Sequence, residues 1–222
     1  METFGCPNVI SETISGESNA LDLLFRVVTN VLECFKNRGY TIDTIISSEE
    51  ELLEIVKSKT DPDVSGLTRV VTHSVSGKKC LLIWVKDEKI GVKHIKQIYD
   101  KMEKERIPHC CMVCEHQLSV FGKKAIEEFN TVVEDKHIEY FEYVEMLIDI
   151  TKHFLVPKHI VLTPEEKEIW KKEYSIQKET QCPKMHRTDA ISRYYGLRKG
   201  DLVKVIRKSE AGTEYVTYRI VI

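Results

Sequence analysis

The chain has 222 residues, 42% hydrophobic and 31% charged, an ordinary globular composition long enough for one large domain or two smaller ones. The formal net charge of −2 hides a split: residues 1–149 carry 18 Lys+Arg against 26 Asp+Glu, and residues 150–222 carry 15 against 9. The acidic majority argues against a protein that coats nucleic acid through bulk charge, so any DNA contact from it must be local. No apolar run approaches about 18 residues and no basic-then-apolar start is present, which predicts a soluble intracellular protein without a membrane partner. The seven cysteines are odd in number and mostly sit in apolar segments, the pattern of free buried thiols in a reducing compartment.

Residues 1–18, rich in Ser, Glu, Thr, Gly and Asn, read as a loose tail. Residues 20–37 predict a helix, because Leu21, Leu24, Phe25, Val28, Val31, Leu32 and Phe35 recur at spacings of three and four, and Gly39 stops it. Ser47 or Ser48, with acids at 49–51, caps a second helix through Leu52, Leu53 and Val56, followed by an Asp61-Pro62-Asp63 turn. Residues 67–75 and 79–86 read as strands joined by Ser76-Gly77-Lys78. A helix over 92–105 carries Ile95, Ile98, Tyr99 and Met102 on one face; 109–114 is a short apolar strand. Ser119 starts another helix through Ala125, Ile126 and Phe129, 137–141 is a strand, and 144–148 is a short helical segment. This alternation predicts a mixed α/β sheet with crossover helices.

A domain boundary falls near Asp149, with Pro157 punctuating the link. Thr163-Pro164-Glu165-Glu166 opens a helix that runs to about Tyr174. Residues 188–222 read as a short helix followed by a two-stranded ribbon. Thr188 or Asp189 caps the helix, Gly196 ends it, and Leu197 folds back over the last turn. The first ribbon strand sets Val203 and Val205 against Leu202, Lys204 and Ile206. The second sets Val216, Tyr218, Ile220 and Ile222 against Tyr215, Thr217, Arg219 and Val221. With large side chains on both faces, the ribbon calls for a second surface to cover one of them.

Candidate chemistry is sparse. Asp87-Glu88-Lys89 has the form of a metal-dependent nuclease triplet, with Asp61 or Asp63 as the upstream acid, but it lies in a turn before Gly91 where solvated charges are ordinary. In His109-Cys110-Cys111-Met112-Val113-Cys114-Glu115-His116, a strand sends Cys111 and Cys114 to opposite faces, so the run reads as core and not as a zinc or redox pair. Neither a phosphate-binding loop nor a nucleophile motif is present, and no metal or cofactor is expected. Gln117, Ser119, Lys123 and Lys124 surround a helix start with free amides, a candidate phosphate contact as well as an ordinary solvated helix end. Arg193, Tyr194 and Tyr195 with Arg219 form a candidate partner anchor, with core packing the alternative for at least one tyrosine.

Residues 190–207, A-I-S-R-Y-Y-G-L-R-K-G-D-L-V-K-V-I-R, and 215–221, Y-V-T-Y-R-I-V, resemble the assembly domain of the fifth subunit shared by eukaryotic nuclear RNA polymerases. The same domain stands alone as a small subunit of archaeal RNA polymerases. Upstream, H-F-L-V-P-K-H-I-V-L-T-P-E-E-K at 153–167 is similar to the start of that domain, C-F-K-N-R-G-Y at 34–40 to the family's first helix, and K-I-G-V-K at 89–93 to a strand-to-helix junction. The resemblance covers about 21–222 and is strongest after His153.

What the resemblance implies is an α/β chain with a tail at 1–18, a mixed α/β N-terminal jaw domain at 19–149 with a nuclease-like fold but no active site, and a small α+β assembly domain at 150–222. The implied role is that of a non-catalytic, nuclear, structural subunit of a multisubunit DNA-directed RNA polymerase active in transcription. It would dock on the largest subunit and neighbouring core subunits and touch downstream duplex DNA non-specifically through the 117–124 loop. In the family that loop reads Thr-Pro, an aromatic and a small residue; here Ser119 and Val120 take the first two places. Cys182-Pro183-Lys184-Met185 replaces a usual Leu-Pro-Arg-Ile, and the 210–213 turn is changed. These departures, with I-T-K-H at 150–153, point to a divergent paralogue such as that of plant polymerases specialised in noncoding RNA and gene silencing. The rival classes are a metal-dependent nuclease on the same N-terminal fold and a free-standing adaptor.

Overall fold

The computed structural model describes residues 17–42, 48, 50–52, 67–87, 90–133, 136–209 and 212–222. Leu53, Val56, Asp61, Asp63, Glu88, Lys89, Glu210 and Ala211, which entered the readings above, lie outside them, as do residues 1–16. The chain divides into two compact units, Met1–Ile148 and Asp149–Ile222.

In the first unit, helix α1 spans Glu17–Asn37 and buries Val27, Val28, Val31, Cys34 and Phe35, the three-and-four spacing that places side chains on one stripe. It begins three residues earlier than the pattern predicts, so residues 17 and 18 belong to the helix and not to a tail. No glycine or proline separates them from the periodic stretch. Its end is sharp: Gly39 takes φ +87° and the chain turns into β1, Tyr40–Thr41, a strand too short to show a period. Ser48 Oγ accepts the Glu51 amide at 3.2 Å, and Leu52 is fully buried, as a capped second helix requires.

Strands β2 (Arg69–His73) and β3 (Lys79–Val85) form the expected antiparallel hairpin, closed by Gly77 at φ +65°. After helix α2, Val92–Lys104, come β4 (His109–Cys114), helix α3 (Val120–Val132) and β5 (His137–Glu142). The sheet order is β1-β2-β3-β4-β5, antiparallel from β1 to β3 and parallel from β3 to β5. β4 is buried along nearly its whole length because helices cover both sides. On one side α1 packs on Leu82, Trp84, Cys111, Val113 and Phe141. On the other, Ile95, Ile98 and Met102 of α2 and Ile126 of α3 pack on Leu81, Cys110, Met112 and Ile138. The short helix after β5, α4, is Tyr143–Met146 and not 144–148: it closes once Met146 is buried, and Ile148 is 71% exposed.

The second unit corrects the ribbon. It has two strands ahead of the expected pair: β6, Lys158–Val161, and β7, Lys184–Met185, each directly after a proline and too short for a periodic signal. Strands β8 (Leu202–Lys208) and β9 (Glu214–Val221) pair antiparallel with Leu202 opposite Ile220, but they are the centre of a four-stranded sheet, β6-β8-β9-β7. At the Leu202–Val205 end both apolar faces are covered within the unit, whereas Tyr215 and Val216 at the other end, one on each face, stay 45% and 44% exposed. Val203, Val205 and Val221 pack on Met185, Ile191 and Leu197, while Leu202 and Ile220 pack on Trp170 and Cys182.

The covering helices start as their sequences dictate. In α5 (Pro164–Glu173), Thr163 Oγ1 accepts the Glu166 amide at 3.2 Å, and the Thr163 amide donates to Glu166 Oε2 at 2.8 Å. In α6 (Ala190–Tyr194) the cap is Asp189, not Thr188: its carboxylate accepts the Ile191 amide at 2.9 Å. Gly196 at φ +62° then lets the Leu197 amide reach the Ser192 carbonyl at 2.9 Å, and Leu197 drops into the core.

Candidate functional site

The parallel strands β3 and β4 end side by side, and the Glu115 amide bonds the Val85 carbonyl at 3.0 Å. The loops that leave them, toward α2 and α3, are therefore neighbours. Leu118 is buried and anchors the second loop. Ser119 caps α3 by accepting the Gly122 amide at 3.1 Å, and its hydroxyl proton goes to the Ile90 carbonyl at 2.9 Å. A Cβ on Gly122 would lie 2.9 Å from that same carbonyl, so only glycine fits without movement.

This geometry assigns different parts to the four residues singled out above. Ser119 has its donor and one acceptor position engaged inside the protein, which makes it a positioning residue for the loop. Lys123 bonds Glu142 Oε1 at 3.1 Å and lies 5.7 Å from the Tyr140 ring centre. Partial burial pulls its pKa down, but the hydrogen bond to Glu142 and the charges around it outweigh that and raise it. Gln117 and Lys124 are exposed. Between them project Val120 and Phe121, 68% and 75% exposed at the first turn of α3. Sequence reading named Val120 only as standing in the proline place of the family's loop, and did not single out Phe121. The signal was available, since the α3 core positions Gly122 and Ile126 leave 120 and 121 off the buried stripe.

Asp87 Oδ2 lies 3.1 Å from His94 Nε2 at the start of α2. Among the described residues, no group of three or more His, Cys, Asp or Glu side chains is arranged to hold a metal ion. The strand cysteines divide as alternation demands: Cys111 enters the core under α1, and Cys110 and Cys114 enter the core under α2 and α3. Burial raises the thiol pKa of Cys110 and Cys111 far above the ordinary value and that of Cys114 to about 12, which keeps them protonated.

In the second unit, Tyr194 is 3% exposed and packs edge-on against Tyr195, ring centres 5.2 Å apart, so it serves the interior. Arg193, Tyr195 and Arg219 are half-buried. The most exposed apolar side chains here are Phe154 (87%), Leu155 (72%) and Ile169 (64%), none of which sequence reading singled out. Phe154 stacks on His153 at 5.0 Å. Among the described residues, no helix is long and apolar enough to cross a membrane.

What the two units offer is surface: an exposed helix start with a basic and an apolar part in one, and exposed aromatic and aliphatic side chains around a small sheet in the other. These are features of proteins that work by contact. Residues 148–221 match the family described as RNA polymerase Rpb5, C-terminal domain. The chain is 33% identical over 210 residues to the DNA-directed RNA polymerases I, II, and III subunit RPABC1 of Caenorhabditis elegans, covering 90% of this chain and 95% of that one. It is 34% identical over 198 residues to the DNA-directed RNA polymerase V subunit 5A of Arabidopsis thaliana, covering 86% and 85%. It is 31% identical over 227 aligned positions to the DNA-directed RNA polymerases IV and V subunit 5B of the same plant, covering all of both chains. The chain belongs to the RNA polymerase subunit 5 family.

Proposed function

We propose that this chain is a non-catalytic structural subunit of a multisubunit, DNA-directed nuclear RNA polymerase. The observation that carries the reading is the end-to-end similarity to polymerase subunits, which spans both units and not only the C-terminal one. In this reading the unit Asp149–Ile222 is the assembly domain and docks on the largest subunit, with the exposed Phe154, Leu155 and Tyr215 as apolar contact surface. The unit Met1–Ile148 is the jaw domain beside downstream DNA. There the α3 start carries the contact: Lys124, Gln117 and the helix amides toward phosphate, Val120 and Phe121 toward the groove. Such a contact is blind to sequence, because phosphate contacts carry no base information.

A second, narrower reading is favoured by the names of two relatives, which belong to polymerases IV and V. It makes this chain a paralogue dedicated to a plant polymerase for noncoding RNA and gene silencing. Isolation through a tag on this chain tests both readings. The expected result is one copy per catalytic pair, stable to high salt, and the largest co-purifying subunit tells a shared subunit from a dedicated one. A chain recovered alone, without transcription machinery, would defeat the proposal. Magnesium-dependent DNA cleavage by the purified chain, lost in Asp87→Ala, would replace it with the nuclease.

A further inference from the structure

β9 runs eight residues, Glu214–Val221, but β7 covers only Ile220 and Val221 of its outer side. The Ile220 amide donates to the Pro183 carbonyl and the Ile222 amide to the Met185 carbonyl, each at 2.9 Å, whereas the Val221 amide turns back to Asp201 on the β8 side. Even-numbered residues of β9 therefore point their backbone groups away from β8, and alternation extends this to Tyr218, Val216 and Glu214. Among the described residues no strand pairs with that stretch; the Tyr218 carbonyl receives only the weak Cys182 thiol donor at 3.7 Å.

Free edges invite another backbone, and proteins normally blunt them with proline or inward charge. Residues 214–219 contain no proline, and Tyr215 and Val216 beside the open amides are 45% and 44% exposed. The surroundings are basic. Arg207 lies opposite Tyr215 on the face that also holds Thr217 and Arg219, and residues 150–222 carry 15 Lys+Arg against 9 Asp+Glu. Arg207 Nε and Thr217 Oγ1, both on that face, are buried without a hydrogen-bond partner among the described residues.

We propose that an extended acidic segment of a partner subunit adds as a strand along residues 214–219. Its backbone bonds Val216 and Tyr218, and a carboxylate reaches Arg219 or Arg207. An open edge selects a polypeptide in extended form, because only another backbone supplies alternating donors and acceptors. The excess of arginine and lysine selects acid on it, and it disfavours a second copy, which would bring two basic units together. The inference rests on the polymerase-subunit reading and names the kind of contact its assembly domain makes.

Hydrogen exchange of the full chain, free and in the isolated complex, tests it directly. The Val216 and Tyr218 amides slow on assembly if a strand is added, and equal exchange in the two states overturns the proposal. Val216→Pro removes an outward N–H while leaving the ladder to β8 in place. Its thermal midpoint stays near wild type and its recovery in the complex falls at least about tenfold, as does that of Arg219→Glu. Both variants assembling like wild type would overturn the proposal, as would a full-chain dimer that Val216→Pro dissolves. If wild type itself finds no polymerase partner, the functional reading fails instead, and the two failures are told apart.

Discussion

The Ser119 hydroxyl donates to the Ile90 carbonyl across 2.9 Å and joins two loops 29 residues apart in sequence. Because the same oxygen accepts the Gly122 amide, one side chain caps α3 and ties its first turn to the loop after β3. Ser119→Ala should therefore lose about 1–2 kcal/mol of stability in denaturant unfolding. Gly122→Ala, which would gain about 1 kcal/mol in a free helix, should instead destabilise by about 1–3 kcal/mol because of the Ile90 carbonyl.

The two lysines of this turn separate in the same experiment. Lys123 holds Glu142, whose side chain is 13% exposed, and Lys124 is exposed. The double variant Lys123→Ala/Lys124→Ala should weaken downstream-DNA crosslinking without disturbing assembly. Lys124→Ala alone should account for most of that loss, and Lys123→Ala should mainly lower stability by about 1 kcal/mol. Unchanged crosslinking in the double variant removes the DNA-facing role.

Arg38 and Glu139 form a two-point ion pair between the end of α1 and β5, with Arg38 7% exposed and its guanidinium 5.0 Å from the Phe35 ring centre. Arg38→Ala leaves an acid facing an apolar core and should cost about 3 kcal/mol or more. Arg38→Met with Glu139→Leu should recover most of that loss, because the uncompensated charge goes with its partner. A double variant as unstable as the single one would contradict this account.

Stability should also fall in mild acid through His159 on β6. Burial first, and the charges of Arg207 and Arg219, lower its pKa below the ordinary 6.5, against the opposing pull of Asp189 and a bond to the Pro157 backbone. The unfolded chain thus takes up the proton first as pH drops. Stability is complete above 6.5 and declines from there down to the lowered folded value. His159→Gln should flatten the unfolding midpoint against pH across that window.

Much of this was readable in the residues themselves. The α1 stripe, the Thr163 and Ser119 caps, the Gly77 and Gly196 turns and the opposite faces of Cys111 and Cys114 all depend on contacts within a few positions, where period and side-chain reach suffice. The β1, β6 and β7 strands were not readable, because two to four residues carry no period and only a neighbouring strand makes them strands. The candidate site divides likewise: the helix start at Ser119 was visible, but the loss of its hydroxyl to Ile90 and of Lys123 to Glu142 was not.

By itself, then, the amino-acid order determined which side chains share a face: Val203 with Val205, Tyr218 with Ile220, Cys110 with Met112. Only the tertiary structure decided what lies against each face. It set Trp170 over Leu202, put Ile191 and Leu197 over Val205, and, among the described residues, brought no strand to the outer side of β9 from Glu214 to Arg219. Alternation is a local property of an extended chain, whereas covering is settled by how separate segments pack, from Leu197 eight residues before Val205 to Trp170 thirty-two before Leu202.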